Sequence, residues 1–199
     1  MATSETEICN LALGLIGSPR INALTDETVS AIKCRLHYPQ VRDALLRSHW
    51  WRFATARKTL SQDTTDPDFQ WDNQFDLPTD FLRMKALYNT NYSYDLEGKK
   101  LLTDDDTAEI VYIRKVTDVA QFDPLFVDIL SLQLAVILAE AIAQDRLLMR
   151  ELEAKLVPYM AQVRTIDRQE TNTKGRADQD RWVDRKFGLG RIDSKLGGA

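Results

Sequence analysis

The sequence predicts an α+β protein: a mainly α-helical bundle with an inserted small antiparallel β module and an extended C-terminal arm. Three observations predict it. Apolar residues recur three and four apart over residues 5–16 and 28–48, and again from 124 to about 168, as helices packed on a core require. Between those segments, residues 74–114 switch to a period of two, the signature of strands with one covered face. After Thr171 the pattern gives way to glycine, charge and scattered apolar residues. The resulting organisation is a first helical part over 1–54, a β module over 55–120, a second helical part over 121–170 and an arm over 171–199.

The first helix begins at a capping box. Ser4 and Glu7 stand three apart, so each side chain is placed to satisfy a backbone donor of the other. Ile8, Leu11, Ala12, Leu15 and Ile16 form its apolar stripe, and Gly17 with Pro19 stops it near Ile16. A short connection carries Ile21 and Leu24 as anchors and leads through Asp26 into a long central helix that pairs with the first. That helix has Val29, Ile32, Leu36, Val41, Leu45 and Leu46 on one face and Lys33, Arg35, Gln40, Arg42, Asp43 and Arg47 on the others. Pro39 predicts a kink or break, because it removes a backbone donor and crowds the preceding turn at a cost of about 3 kcal/mol. The string HWWRFA closes the segment. Trp50, Trp51 and Phe53, each able to bury roughly 150–250 Å², form a core anchor where helix turns to strand.

The next residues, TARKTLSQDTTDPDF, read as a surface loop rich in turn formers. Leu82, Met84, Ala86 and Tyr88 then alternate with Arg83 and Lys85. Tyr92, Tyr94 and Leu96 repeat the alternation, Glu97-Gly98 supplies a hairpin turn, and Lys100 to Thr103 is its partner. Asp104 to Asp106 makes a further turn before Glu109 to Arg114, giving about four strands. Asp123-Pro124 starts a helix, with aspartate as cap and proline where a donor has no partner. That helix, to about Gln144, is apolar nearly all round and needs neighbours on several sides. The last helical segment has Leu148, Leu152, Leu156, Tyr159 and Val163 on one face, with a bend expected at Pro158.

Composition restricts the function. Hydrophobic residues make up 44% and charged residues 28% of 199, which is ordinary for a globular protein. The net charge is −4, and this acidic balance argues against a dedicated duplex-DNA binder. Residues 1–163 hold 17 basic against 24 acidic side chains, whereas 164–199 hold 9 against 6. A basic end on an acidic body suits an arm that docks on an acidic neighbour. Acidic residues stand near the start where a secretory signal would place positive charge, so no export signal is expected. The stretch Leu125 to Ala143, interrupted by Asp128, Ser131, Gln133 and Glu140, predicts a buried helix and no membrane span.

No catalytic constellation is visible. Cys9 and Cys34 lack metal-type spacing and read as buried free thiols. His37 and His49 lack the carboxylate partner that a general base needs. The Asp104–Asp106 run lacks the ordered spacing of a calcium loop. Glu140 within an apolar helix predicts an inter-helix ion pair, with Arg146 or a neighbouring chain as partner. Phosphate-loop, nucleophile-elbow, zinc-protease and C-x-x-C strings are all absent. Neither a catalytic residue, a metal ligand nor a cofactor is therefore assigned.

The strings ICNLALGLIGSPRINALTDET, RDALLRSHWWRFA, FDLPTDFLRM, LEGKKLLTD, IVYIRKV and FDPLFVDILSLQLAVILAEAI, taken in order over about residues 5–165, resemble the tail tubular protein A, or head-to-tail adaptor, family of short-tailed bacteriophages. The resemblance implies a structural virion protein and no enzyme. It implies a homo-oligomeric ring, usually a dodecamer, between portal protein and tail nozzle protein, assembled in the host cytoplasm. Genome DNA would pass through its channel without specific binding. On this reading Arg181, Trp182, Arg185, Lys186 and Phe187 of the arm contact portal, and Tyr88, Tyr92 and Tyr94 contact the nozzle. The alternative is a nucleic-acid-binding phage accessory protein that uses the basic arm and the arginine-rich central helix.

Overall fold

The computed structural model describes residues 4–88 and 93–170. It is a mixed α and β structure with four α-helices and two small antiparallel sheets. Two compact units divide it, Met1–Val157 and Pro158–Ala199.

Helix α1 spans Glu5–Leu15 and is capped by Ser4, with the Glu7 amide donating to Ser4 Oγ at 3.2 Å. Its buried residues are Ile8, Cys9, Ala12 and Leu13, followed by Ile16. Leu11 and Leu15, assigned to the covered stripe by spacing, are exposed instead. The loop after α1 is tied back by Asn10, whose side chain donates to the Ile21 carbonyl at 3.0 Å and accepts from the Ile21 amide at 2.9 Å. Asp26 does not cap the next helix. It accepts from the Asn22 and Ala23 amides and closes the loop on itself, and Thr28 is the cap.

Helix α2 spans Val29–Ser48 and continues unbroken through Pro39, so the expected break is absent. Pro39 and Arg35, whose carbonyl loses its partner, both lie on the exposed side, where water can satisfy that carbonyl. The covered face is also rotated from the one that spacing suggested. Ala31, Cys34, Tyr38, Val41, Arg42, Leu45 and Leu46 are buried, and Val29, Ile32 and Leu36 are exposed. At the C-terminal end, the Leu45 carbonyl accepts from Ser48 Oγ at 2.8 Å and from the buried Trp51 Nε1 at 2.9 Å.

A short 3₁₀ turn, Arg52–Ala54, leads into the sheets. They hold six strands where about four were expected: β1 Thr55–Thr59, β2 Asn73–Asp76, β3 Phe81–Tyr88, β4 Tyr94–Glu97, β5 Lys100–Thr103 and β6 Glu109–Arg114. One sheet has the order β1-β6-β3 and the other β2-β5-β4. The strand β1 occupies residues that composition assigned to a loop. It is an edge strand whose Arg57, Lys58 and Thr59 stay exposed while Ala56 packs inward, and charged side chains are a common protection for an edge. Register shifts in β3 lie between Phe81 and Arg83 and between Met84 and Ala86. Each inserts an extra residue, so the side chains that reach the core are Phe81, Met84 and Leu87, three apart. The period of two read from Leu82, Met84, Ala86 and Tyr88 is thereby broken. Leu60, Phe75, Leu101, Ala108, Ile110 and Tyr112 complete this core. Gly98, at φ 58°, takes the first position of the two-residue β4–β5 turn, a conformation that favours glycine.

Helix α3, Pro124–Leu138, is capped by Asp123 and continues through a π turn, Ala139–Ala143, to a left-handed Gln144. The stretch Pro124–Ala143 is long and apolar enough to cross a membrane by length and composition, and more than half of its most apolar window is buried within the protein. Both α1 and α2 pack chiefly on α3 and touch each other less, so the expected pairing of the first two helices is indirect. Helix α4, Arg146–Glu170, starts on Asp145, whose carboxylate accepts from the Leu147 and Leu148 amides. It runs through Pro158, where the two compact units divide. Leu152 and Val163 are buried on it, whereas Tyr159 is exposed.

Candidate functional site

The aromatic string after α2 divides its labour. Trp51 is buried and meets Phe126 edge-on at 4.9 Å between ring centroids. Phe53 is half-buried and packs on Phe126 at 5.1 Å and on Phe122 at 5.8 Å. These two are the core anchor that the sequence predicts. Trp50 instead faces the first sheet, where the Arg83 guanidinium covers its ring at 4.0 Å.

The buried ionic group was not visible in the sequence. Arg42 is buried, its Nε donates to Asp43 Oδ1 at 2.8 Å, and its Nη1 reaches Glu5 Oε1 at 3.4 Å. Asp43 also pairs with Lys115 Nζ at 2.8 Å. Arg42 thus links α1 and α2 and is not presented to a phosphate backbone. Cys9 and Cys34 are free, buried and hydrogen-bonded to each other; this bond pushes the Cys9 thiol far up, with burial adding to it, and brings the Cys34 thiol down against the opposing effect of burial. His49 is buried with its ring edge-on to Trp51 at 5.1 Å. Glu140 is exposed, so the inter-helix ion pair expected for a buried carboxylate is not required. Among the described residues there is no group of three or more His, Cys, Asp and Glu arranged to hold a metal ion.

A groove of about 880 Å³ lies between α1 and the start of α3. Leu11, Gly14, Val119, Phe122 and Val127 give it an apolar lining. Glu7, Arg20 and Asp128 supply its charges. Neither a histidine nor a cysteine lines it, and its carboxylates are those of Glu7 and Asp128. Sequence spacing hid the groove by assigning Leu11 to the core.

Two of the three candidate nozzle residues sit on edge strands of different sheets. Tyr88 is exposed at the end of β3, with Arg57 from β1 over its ring at 5.9 Å, and Tyr94 is exposed on β4. Tyr92 lies outside the described residues, as do Arg181, Trp182, Arg185, Lys186, Phe187 and the arm over 171–199. In comparisons with known proteins, no family model matches the chain and no curated protein matches it.

Proposed function

We propose that this chain is a structural protomer of a bacteriophage virion, a head-to-tail adaptor whose copies form a ring between portal and tail nozzle. The observation that carries the reading is the order of the strings that resemble the adaptor family, each coinciding with one element or junction. ICNLALGLIGSPRINALTDET runs from α1 through the loop to Thr28, the cap of α2, RDALLRSHWWRFA runs from the end of α2 through the 3₁₀ turn, and FDLPTDFLRM spans the corner between β2 and β3. LEGKKLLTD is the β4–β5 hairpin, IVYIRKV covers β6, and FDPLFVDILSLQLAVILAEAI is α3 with its π turn. In this reading α1, α2 and α3 are the protomer's share of a helical bundle, with the β module inserted between α2 and α3. The arm over 171–199 reaches portal, Tyr88, Tyr92 and Tyr94 meet the nozzle, and DNA passes along the channel without sequence-specific contacts. An acidic body suits that wall, because repulsion keeps phosphates from adhering.

Native mass spectrometry of the protein with and without its cognate portal tests the reading. A closed multi-copy ring appearing on portal is the expected result, and deletion of 171–199 should abolish attachment while leaving the fold intact. A monomer that ignores portal but shifts with DNA, with affinity falling steeply as salt rises, would replace this reading with the nucleic-acid-binding one.

A further inference from the structure

Two surfaces of the described chain are complementary and share no residue. The first is a ridge on α2, where Val29, Ile32 and Leu36 are 64%, 43% and 54% exposed. Their spacing of three and four puts them on one face. Lys33 and Arg35 flank the ridge on opposite sides, and α2 carries no carboxylate from Val29 through Arg42. The second is the groove between α1 and α3. Its apolar floor includes Leu11, which is 48% exposed, and Glu7 and Asp128 lie among its lining residues. Asp118 and Asp123 adjoin that lining in sequence, and Arg20 is its one cation. A basic apolar ridge and an acidic apolar groove match in both hydrophobicity and charge.

We infer that the occupant of the groove is a second copy of this chain, whose α2 ridge seats along Leu11 with Lys33 and Arg35 towards the groove's carboxylates. The two faces are different, so the contact is heterologous: every copy that offers a ridge still has a free groove, and association propagates until the rotation closes it. The inference rests on the ring-forming reading for that closure and supplies the surfaces through which copies would meet.

Mixing variants tests it. Ile32→Glu blocks the ridge and leaves the groove, whereas Leu11→Glu blocks the groove and leaves the ridge. Both replace exposed helical residues, and Leu36→Glu serves as a second ridge variant if Ile32→Glu fails to fold. By sedimentation equilibrium the wild type self-associates, and each variant alone loses association by at least about thirtyfold, the scale of an interface hot spot. An equimolar mixture of a ridge variant and the groove variant forms a dimer and stops there, because only one ridge and one groove remain competent. A wild type that stays monomeric up to about 1 mM, where even weak specific contacts register, overturns the inference. So does a ridge variant that joins a ring on portal as the wild type does, and that result leaves the adaptor reading standing. Ridge-and-groove association by a protein that ignores portal supports the inference and removes the adaptor reading.

Discussion

The guanidinium of Arg83 lies over the ring of Trp50 at 4.0 Å, and this pair joins the β module to the end of α2. The junction is reciprocal in its hydrogen bonds. Arg47 Nη1 donates to the Leu82 carbonyl at 2.8 Å, and Arg83 Nη1 donates to the Arg47 carbonyl at 3.3 Å. A cation over an indole at a partly exposed site contributes about 0.5–1 kcal/mol. Arg83→Ala should therefore cost about 1 kcal/mol or slightly more, since it also removes a hydrogen bond to a helix-terminal carbonyl. A double-mutant cycle with Trp50→Leu, read by urea unfolding, should return a coupling of at least about 0.5 kcal/mol. Additive effects would mean that the stacking contributes nothing.

Phe126 is the hub of the helical core. It is fully buried and meets Trp51, Phe53 and Phe122 at 4.9, 5.1 and 4.8 Å between centroids. Truncation leaves three rings facing a void, so Phe126→Ala should destabilise by about 3–5 kcal/mol. Phe126→Leu, which restores most of the volume, should cost distinctly less. Equal losses for the two would show that the ring contacts, rather than volume, set the energy.

Arg42 and Tyr38 separate two kinds of buried polar group. Arg42 has its partners, and Arg42→Ala should cost about 3 kcal/mol, the low end for breaking a buried pair, because Asp43 keeps Lys115 and Glu5 is partly hydrated. The Tyr38 hydroxyl is buried without a hydrogen-bond partner, and Arg42 lies 5.7 Å from the ring centroid. Tyr38→Phe keeps the ring and removes the unsatisfied oxygen, so it should be neutral or stabilising by up to about 1 kcal/mol. Chemical denaturation of the two variants reads both effects, and a loss in Tyr38→Phe beyond 1 kcal/mol would require a hydroxyl partner.

What was legible in the sequence follows from which interactions are local. Caps depend on residues two or three apart, and Ser4, Asp123 and the Gly98 turn all act as their types require. The aromatic anchor was legible because Trp51 and Phe53 carry too much apolar area to leave in water. Faces were less legible. On α1 and α2 the aliphatic residues outnumber the covered positions, so Leu11, Val29, Ile32 and Leu36 satisfy the helical period yet lie outside. Buried Arg42 breaks the same rule from the other side, since Glu5, one of its two carboxylate partners, is 37 residues away. On β3 a long-range pairing with β6 inserted the bulges and overrode the local alternation. The groove is a property of α1, the segment before α3 and α3 together, and no single segment carries its trace.

Alkaline pH tests one buried side chain of the β module. Tyr112 is buried on β6, stacks on Phe81 at 5.7 Å, and donates its hydroxyl to Asp80 Oδ1 at 3.0 Å. Burial disfavours the phenolate, and the hydrogen bond to Asp80 adds to this, so the phenol is pushed up to about 12 from its ordinary 10.0. The sign follows from proton counting. Between those values the unfolded chain has released the proton and the folded chain still holds it, so stability falls as pH rises. The contribution is fully present below pH 10 and is lost progressively towards 12. Tyr112→Phe removes the titrating group, and its unfolding midpoint should decline less over that window than the wild type's. Absorbance at the phenolate band should show a phenol in the wild type that titrates late and is missing in the variant. If the two proteins lose stability in parallel from pH 10 to 12, Tyr112 is not held protonated by its site.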